Sequence, residues 1–394
     1  MKNDDEGGWS RRKYLSRSGV PLLAGGLLPW WPNLAAAQAT PGVTATQILM
    51  GQTISLESGR NDYGVAVRHG VEAATQQINA AGGVLGRQLV FKVMDDLGKG
   101  ATAEANARQL VADGVFLLFG TVEGGPCTAV MKAAVDTGVP FFGPMAGPPI
   151  LRRPHQPLVF PVRSEHREEF RTLLGHAKSL GMERAAFLQA DSEVGRLHLG
   201  NVQRITKELG MPEALPFVIG SEVTDTQIDE FVLKMRERRI QVMFNHGGIA
   251  VYERLIRRAR ATGLNTVFQG VNSASAQLAA HLGPLAHGMV FTQVVPSPWE
   301  RKTALTRQYQ QAFGAAFSGQ PFSYGSLEGY TTTLVLAEAL KRAGRALTRP
   351  ALLNALSDAK FDIAGYKVSY RKGEHVGSTF VDTAIVTRDG TFRH

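Results

Sequence analysis

The sequence predicts an α/β protein with two doubly wound lobes of parallel sheet. Helical segments of ten or more residues alternate with short apolar strands along most of the chain. This alternation is typical of parallel sheets that are covered by helices on both faces. The strands also outnumber what one small sheet holds, and the chain of 394 residues is too long for one ordinary core. Two lobes therefore fit better than one.

The first unit of this alternation lies between residues 48 and 94. Strands are predicted at Ile48–Ile54 and Leu89–Met94. The segment between them has small and apolar residues at helical spacing, which indicates an amphipathic helix; they are Val67, Val71, Ala74 and Ile78. Gly82-Gly83 is expected to end this helix, because glycine adopts left-handed conformations without a Cβ penalty. The unit is β-α-β, so its two strands should be parallel.

The same pattern continues to the end of the chain. The further helices are predicted at 102–113, 127–137, 167–180, 196–209, 228–238, 252–262, 302–317, 327–343 and 350–359. The further strands are predicted at 116–119, 140–142, 185–189, 215–219, 242–245, 266–269, 289–294, 366–370 and 384–387.

The first 39 residues are predicted to be a twin-arginine-type signal peptide. Residues 10–15 read S-R-R-K-Y-L, an apolar segment follows at 19–28, and Ala37-Gln38-Ala39 is an A-x-A cleavage site. The alternative is a basic N-terminus followed by a short membrane anchor. The apolar segment is too short for a comfortable span and is broken by Gly and Pro. We therefore expect cleavage after Ala39 and a mature protein in the periplasm.

Charge and motifs exclude several classes of function. The chain carries a net charge of +9, but its basic residues lie in scattered clusters without interleaved aromatics, so we expect no nucleic-acid partner. Cys127 is the single cysteine, which rules out an intramolecular disulfide. Phosphate-loop, dinucleotide, nucleophile-elbow and H-E-x-x-H motifs are all absent from the sequence. The histidines show no tight ligand spacing. We expect no enzymatic activity, no cofactor and no metal site.

Three segments carry a resemblance to a known family. Residues 63–96 include I-N-A-A-G-G-V-L-G-R-Q-L and a strand that ends in D-D, and they resemble the opening of the Leu/Ile/Val-binding protein family. Residues 120–144 and 255–264 are similar to it as well, whereas the match is weak beyond Thr348. The resemblance implies a type I periplasmic-binding-protein-like fold, in which a three-stranded hinge joins the lobes. It places the crossings near 161–164, 294–298 and 362–365. The first lobe would comprise 43–162 and 295–362, and the second 163–294 and 363–394.

The resemblance also implies a function. Members of this family are extracytoplasmic receptors of ABC importers, and they capture a small solute between two lobes that close on it. The expected partners are a small-molecule solute (an amino acid, organic acid or amide) and the permease subunits in the inner membrane. The alternative is a periplasmic ligand sensor that feeds a signalling system rather than a permease. Both functions use the same closure, so the sequence leaves this choice open.

Open α/β sheets bind ligands at the carboxyl ends of their strands. In the first lobe the corresponding loops are 55–64, 120–126 and 143–149, and the last two are rich in glycine. The loop at 120–126 leads into a helix start that is able to hold an anion through backbone N–H groups. By the family motif, the residues expected to contact the ligand are Tyr63, Glu123, Gly124, Met145, Gly147, Val194, His246, Asn272 and Tyr324.

Several of these positions depart from the amino-acid-binding pattern of the family. Gly124 and Gly147 replace residues whose hydroxyls hold the ligand's charged groups, Asn272 replaces an acidic residue, and Val194 replaces an aromatic lid. A zwitterion would lose charge-assisted hydrogen bonds, so we expect an organic acid or amide rather than leucine. Simple turn geometry explains the two glycines equally well. Glu123 either pairs with Arg60 or receives a cationic or amide ligand.

Overall fold

The computed structural model describes residues 40–56, 62–272 and 275–394, so the predicted signal peptide lies outside the described residues. The first sheet has the strand order β2-β1-β3-β4-β5, and its strands all pair in parallel. Its strands are β1 (Gln47–Ile54), β2 (Gln88–Asp95), β3 (Leu118–Phe119), β4 (Phe141–Phe142) and β5 (Val159–Phe160). The predicted β-α-β unit at 48–94 is therefore confirmed.

The second sheet has the order β15-β14-β10-β9-β8-β6-β7. The five strands β10, β9, β8, β6 and β7 pair in parallel. The last two strands of the chain, β14 and β15, pair antiparallel at the edge beside β10. Its strands are β6 (Ala185–Ala190), β7 (Leu215–Ile219), β8 (Val242–His246), β9 (Val267–Gly270), β10 (Val290–Gln293), β14 (Asp382–Val386) and β15 (Phe392–Arg393). Two parallel-rich sheets confirm the predicted fold class.

Helices cover both faces of each sheet. They are α1 (Asp62–Ala80), α2 (Gly100–Ala112), α3 (Gly124–Thr137), α4 (His166–Ser179), α5 (Glu193–Glu208), α6 (Asp225–Glu237), α7 (Ile249–Ala261), α8 (Ser275–Leu282), α9 (Ala304–Ala316), α10 (Tyr324–Ala343) and α11 (Arg349–Leu356). Apolar residues of α1 and α9–α11 pack on one face of the first sheet, and those of α2 and α3 pack on the other. In the second sheet, α6–α8 and the pair α4 and α5 cover opposite faces. We call the first sheet with its helices the first lobe, and the second sheet with its helices the second lobe.

A third sheet lies next to the predicted last crossing between the lobes. A third sheet of β11 (Lys360–Ile363), β12 (Tyr366–Arg371) and β13 (Glu374–Gly377) follows α11. Its side chains pack in the core of the first lobe, so the turn at 362–365 lies within that lobe. The chain enters the second sheet only at β14. The division into lobes stays a prediction, and this packing favours a boundary near Ser378 rather than Asp362.

Close packing of α1 against α10 positions two side chains of the site. A Cβ added at Gly70 of α1 would lie 1.8 Å from the carbonyl oxygen of Ser326, and one added at Gly329 of α10 would lie 2.2 Å from that of Val67. Only glycine permits helix backbones to approach this closely. The contact brings the N-terminal part of α1 beside the first turns of α10, where Tyr63 and Glu328 meet.

Candidate functional site

The carboxyl ends of the parallel strands in the two lobes line one cavity. Its volume is about 680 Å³, and we call it the cleft cavity. From the first lobe it is lined by Tyr63, Glu123, Gly124 and Met145, and from the second lobe by residues that include His246 and Val271. The edge of a parallel sheet where the strands end is the usual position for a ligand in open α/β folds. The volume lies in the range of small-molecule sites.

The loop before α3 forms one wall of the cleft cavity. Glu123 has φ of 67° and ψ of 149°, which is a strained conformation for a residue with a Cβ. It immediately precedes the first helical residue, Gly124, and its carboxylate lies beside Gly98, where an added Cβ would be 3.7 Å from Oε2. The first amides of a helix have no acceptor within the helix. The wall therefore combines an acidic side chain with backbone N–H groups that are able to hold a carbonyl or carboxylate oxygen.

A second carboxylate, Asp96, lies beside Glu123. Burial raises the pKa of Asp96 to about 6, although its hydrogen bonds from the Gly98 amide and the Thr53 hydroxyl oppose the increase. Burial and the charge of Asp96 also raise the pKa of Glu123. Each carboxylate therefore disfavours the ionised form of the other.

A hydrogen-bonded group of three residues links the lobes. The Tyr63 hydroxyl of α1 donates to the carboxylate of Glu328 on α10. Asn272, which follows β9 in the second lobe, donates its amide Nδ2 to the Tyr63 oxygen at 3.1 Å and to Glu328 Oε2 at 3.5 Å. Burial raises the pKa of Tyr63 and of Glu328, so the hydroxyl stays protonated as a donor. The predicted site residues Tyr63 and Asn272 thus lie together across the cleft.

A buried ion pair lies next to this group. Arg163 Nη2 is 2.7 Å from Glu169 Oε1, both side chains are fully buried, and Arg163 Nε is 3.9 Å from Glu328 Oε1. Glu169 also accepts hydrogen bonds from the backbone N–H of Asn272 and the hydroxyl of Thr292. Burial alone would raise the pKa of Glu169, but the Arg163 charge, the contact with His166 and the hydrogen bond from the Asn272 N–H lower it to about 2. Glu169 is therefore a permanent anion that fixes the backbone of Asn272.

The sequence analysis missed Arg163, Glu169 and Glu328. For Glu328 a signal exists, since it is the single charged residue between 324 and 337, and a charge in a buried helix requires a partner. Arg163 and Glu169 lie in a stretch rich in charged residues, where nothing marks them as buried.

Gly147 has a steric role. A Cβ at this position would lie 2.7 Å from His166 Cγ, and the Gly147 N–H donates to His166 Nε2 at 3.3 Å. The imidazole thus occupies the space next to the loop that a side chain at position 147 would need. His166 also lines the cleft cavity, and the sequence analysis did not select it.

The structure also brings together three histidines that the sequence analysis treated as unrelated. His166, His198 and His246 come from α4, α5 and β8, and one ring nitrogen of each lies within 4.8 Å of those of the others. The expectation that the histidines form no tight cluster is therefore wrong. Their separation of 32 and 48 positions along the chain hides the cluster from any local motif.

Four predicted site residues lie outside the lining of the cleft cavity. Among the described residues that line it, Gly147, Val194, Asn272 and Tyr324 are absent. Val194 is in the first turn of α5. Tyr324 lines a neighbouring cavity of about 970 Å³, which Tyr63 and Asn272 also line, and its hydroxyl is 2.7 Å from His394 Nε2. The loop residues 57–61, including Arg60, lie outside the described residues.

Comparison with known proteins assigns the family. The model of the family described as "Periplasmic binding protein" matches residues 47–390. The chain belongs to this family. It is 23% identical to the Leu/Ile/Val-binding protein BraC3 of Rhizobium johnstonii, over 83% of this chain and 88% of that protein. It is a Leu/Ile/Val-binding-like member with a periplasmic solute-binding role, and the family's members are not enzymes.

Solved structures agree on the fold. A possible leucine/isoleucine/valine-binding protein from Rhodopirellula baltica superposes with a TM-score of 0.79 at 23% identity, covering 90% of this chain and 98% of that one. A fatty acid ABC transporter substrate-binding protein from Thermomonospora curvata gives 0.78 at 17% identity, covering 91% and 93%. These likenesses confirm the type I periplasmic binding fold. Within the described part of the chain, no helix combines the length and apolarity needed to cross a membrane.

Proposed function

We propose that this periplasmic binding protein captures a small organic solute in the cleft cavity and delivers it to the permease of an ABC importer. The observation that carries the proposal is the cavity of about 680 Å³ between the strand ends of the two lobes. A solute there contacts both lobes at once, so its binding favours their closed arrangement. Export by the segment 1–39, with cleavage after Ala39, is part of the same proposal.

The ligand class is an organic acid or amide with an aliphatic or unsaturated body. Gly124 offers no hydroxyl, and the His166 ring takes the space at Gly147, so a zwitterion finds few side-chain partners there. Met145, Ile249 and Leu278 are apolar parts of the lining. The start of α3 is able to hold one carbonyl or carboxylate oxygen. The similar structure from Thermomonospora curvata is named as a fatty acid ABC transporter substrate-binding protein, and this name supports a carboxylic acid with an apolar body.

Glu123 should interact differently with the two candidate ligand classes, a carboxylic acid and an amide. A carboxamide offers its NH₂ group to the Glu123 carboxylate and its oxygen to the helix amides, whereas a carboxylate ligand is repelled by Glu123. We propose Tyr63, Glu123, Gly124, Met145 and His246, which line the cleft cavity, as the solute contacts. Asn272 lines the neighbouring cavity and bonds Tyr63, so we propose that it acts on the solute through Tyr63.

The test is a calorimetric and thermal-shift screen of the purified protein after removal of any bound solute by reversible unfolding. The panel contains α-amino acids, aliphatic and aromatic carboxylates, and their primary amides. Since a ligand that binds only the folded state raises its stability, a hit increases the melting temperature. We expect one molecule of an acid or amide per chain. Micromolar binding of leucine, isoleucine or valine, about −8 kcal/mol, would overturn the proposed ligand class.

The variant Glu123→Gln then distinguishes the two chemistries. For a carboxylate ligand, the loss of a like charge should strengthen binding. For an amide, the loss of the charged acceptor should weaken it by about 1.5–3 kcal/mol. Glu193→Gln, an exposed acidic residue at the start of α5, is the matched control and should leave binding unchanged. If Glu123→Gln and the control behave alike for every ligand found, Glu123 does not contact the solute.

A further inference from the structure

The three imidazoles of His166, His198 and His246 form a compact cluster in the second lobe. The ring centroids are 5.3 Å apart for His166 and His198, 4.5 Å for His166 and His246, and 3.9 Å for His198 and His246. One nitrogen of each ring lies within 4.8 Å of those of the other two. His166 and His246 line the cleft cavity, so one side of the cluster faces it.

His198 has an anomalous environment. Its side chain is fully buried, and neither of its ring nitrogens has a hydrogen-bond partner within the described residues. A neutral imidazole carries one donor and one acceptor, and nearly all such groups are satisfied when buried. If this histidine only filled space in the core, an apolar side chain would serve better, because it loses no hydrogen bonds to water when it is buried. Two nitrogens without partners, next to two further imidazoles, indicate a group that the site takes up.

His166 has the surroundings of a metal ligand. Its Nδ1 is 2.9 Å from Glu169 Oε1, and a carboxylate on one ring nitrogen orients the ring and increases the basicity of the other. The other nitrogen, Nε2, accepts from the Gly147 N–H at 3.3 Å, which is long for a hydrogen bond. Coordination through Nε2 replaces this weak contact.

We propose that His166, His198 and His246 bind a divalent transition-metal ion, with Zn²⁺ the ion that three imidazoles suit best. Zn–N distances of about 2.0–2.1 Å in a tetrahedral site place the ligand atoms about 3.4 Å apart. The present separations of up to 4.8 Å must shorten to this value when the ion binds. Three histidines leave a fourth position, as in open zinc sites, and two of the three, His166 and His246, border the cleft cavity. His246 is also a proposed solute contact, but the zinc test below uses no solute, so either proposal can fail without the other.

The test titrates chelator-treated protein without an affinity tag with ZnCl₂ in a calorimeter, together with thermal melting. We expect one Zn²⁺ per chain, with a dissociation constant of about 1 μM or tighter, and an increase in melting temperature. Since loss of an outer-shell partner alone weakens metal sites by about 10- to 100-fold, His198→Leu and His246→Gln should each weaken binding at least about 100-fold. His281→Gln is the matched control, because His281 lines the same cavity outside the cluster.

A second measurement distinguishes loss of the site from loss of the fold. Because His198→Leu removes a buried imidazole without partners, the metal-free variant should melt at or above the temperature of the metal-free wild type. Zinc should then no longer raise its melting temperature. Failure of the wild type to bind one equivalent of Zn²⁺, or equal zinc binding by His198→Leu and wild type, would overturn the assignment.

Discussion

Tyr63→Phe tests the link across the cleft. The substitution keeps the ring and removes only the hydroxyl, which donates to Glu328 and accepts from Asn272 Nδ2. A hydrogen bond to a carboxylate contributes about 1.5–3 kcal/mol and a neutral one about 0.5–1.5 kcal/mol. The Glu328 carboxylate is buried, and its remaining partners are distant, Asn272 Nδ2 at 3.5 Å and Arg163 Nε at 3.9 Å, so they compensate the loss of the Tyr63 donor only in part. We expect a total cost of about 2–4 kcal/mol.

The two hydrogen bonds that the substitution removes affect two different measurements. The bond to Glu328 joins α1 and α10 within the first lobe, so urea unfolding should show a loss of about 1.5–3 kcal/mol. The bond from Asn272 joins the two lobes, so its loss should reduce the ratio of closed to open protein by about 2- to 10-fold. Small-angle scattering of the solute-free protein should then report a larger radius of gyration for the variant than for the wild type.

Tyr330→Phe is the matched control. The Tyr330 hydroxyl of α10 bonds Gln77 of α1 at 2.6 Å, so this variant also loses a tyrosine hydroxyl between the same helices. Its partner is a neutral side chain within the same lobe, and we expect a cost of about 1 kcal/mol with an unchanged radius. Equal losses of stability in the two variants, or an equal radius, would refute the description of Tyr63 as a link to a buried carboxylate and to the second lobe.

Three further substitutions test the buried groups. Glu169→Gln leaves Arg163 with only the more distant Glu328 as a carboxylate partner and should cost about 3–5 kcal/mol in urea unfolding. Glu208→Gln, which breaks an exposed pair, should change the stability far less. Gly147→Ala forces a Cβ against an imidazole and should destabilise by about 1–3 kcal/mol, whereas Gly200→Ala, on an open helix surface, should stabilise by about 0.5–1 kcal/mol. Burial raises the pKa of Asp96 from 3.8 to about 6, so the folded protein retains a proton that the unfolded chain has lost. The free energy of unfolding should therefore decrease as the pH rises from 4 to 6. The decrease should be at most about 3 kcal/mol, at 1.36 kcal/mol per pH unit. Asp96→Asn should remove this part of the pH dependence.

The alternation of helices and strands could be predicted because each unit carries its own periodicity. The strands that the sequence analysis missed are short. They include β5, with two residues, and β11, which reads K-F-D-I. A strand of two residues has no period to detect, and only the register with its neighbour β4 defines it. The sequence analysis also missed the helix α8, which has only eight residues. This helix follows residues 273–274, which lie outside the described part of the chain.

Positions at strand ends could be predicted in the same way, since the fold places them. Tyr63, Glu123 and Met145 each follow a strand of the first sheet, and all three line the cleft cavity. The partners of these residues could not be predicted. Glu328 reaches Tyr63 only because α10 packs on α1 from 265 positions away along the chain. Contacts of this kind depend on which helix covers which face of the sheet, and a single sequence contains no measure of that choice.

The link from Asn272 to Tyr63 has a consequence for the proposed closure of the lobes. Opening transfers the two groups to water, where each finds a new partner, so the bond contributes only about 0.5–1.5 kcal/mol to the closed form. To change a two-state equilibrium from 1:99 to 99:1, a ligand must supply about 5.5 kcal/mol of differential binding. The link alone is therefore too weak to hold the lobes closed, and its role is to align them. Because Glu169 holds the backbone of Asn272, the amide is already oriented towards Tyr63 when the lobes meet. A solute in the cleft cavity then provides most of the free energy of closure, which is the behaviour that a receptor needs if its closed form is to signal that it is loaded.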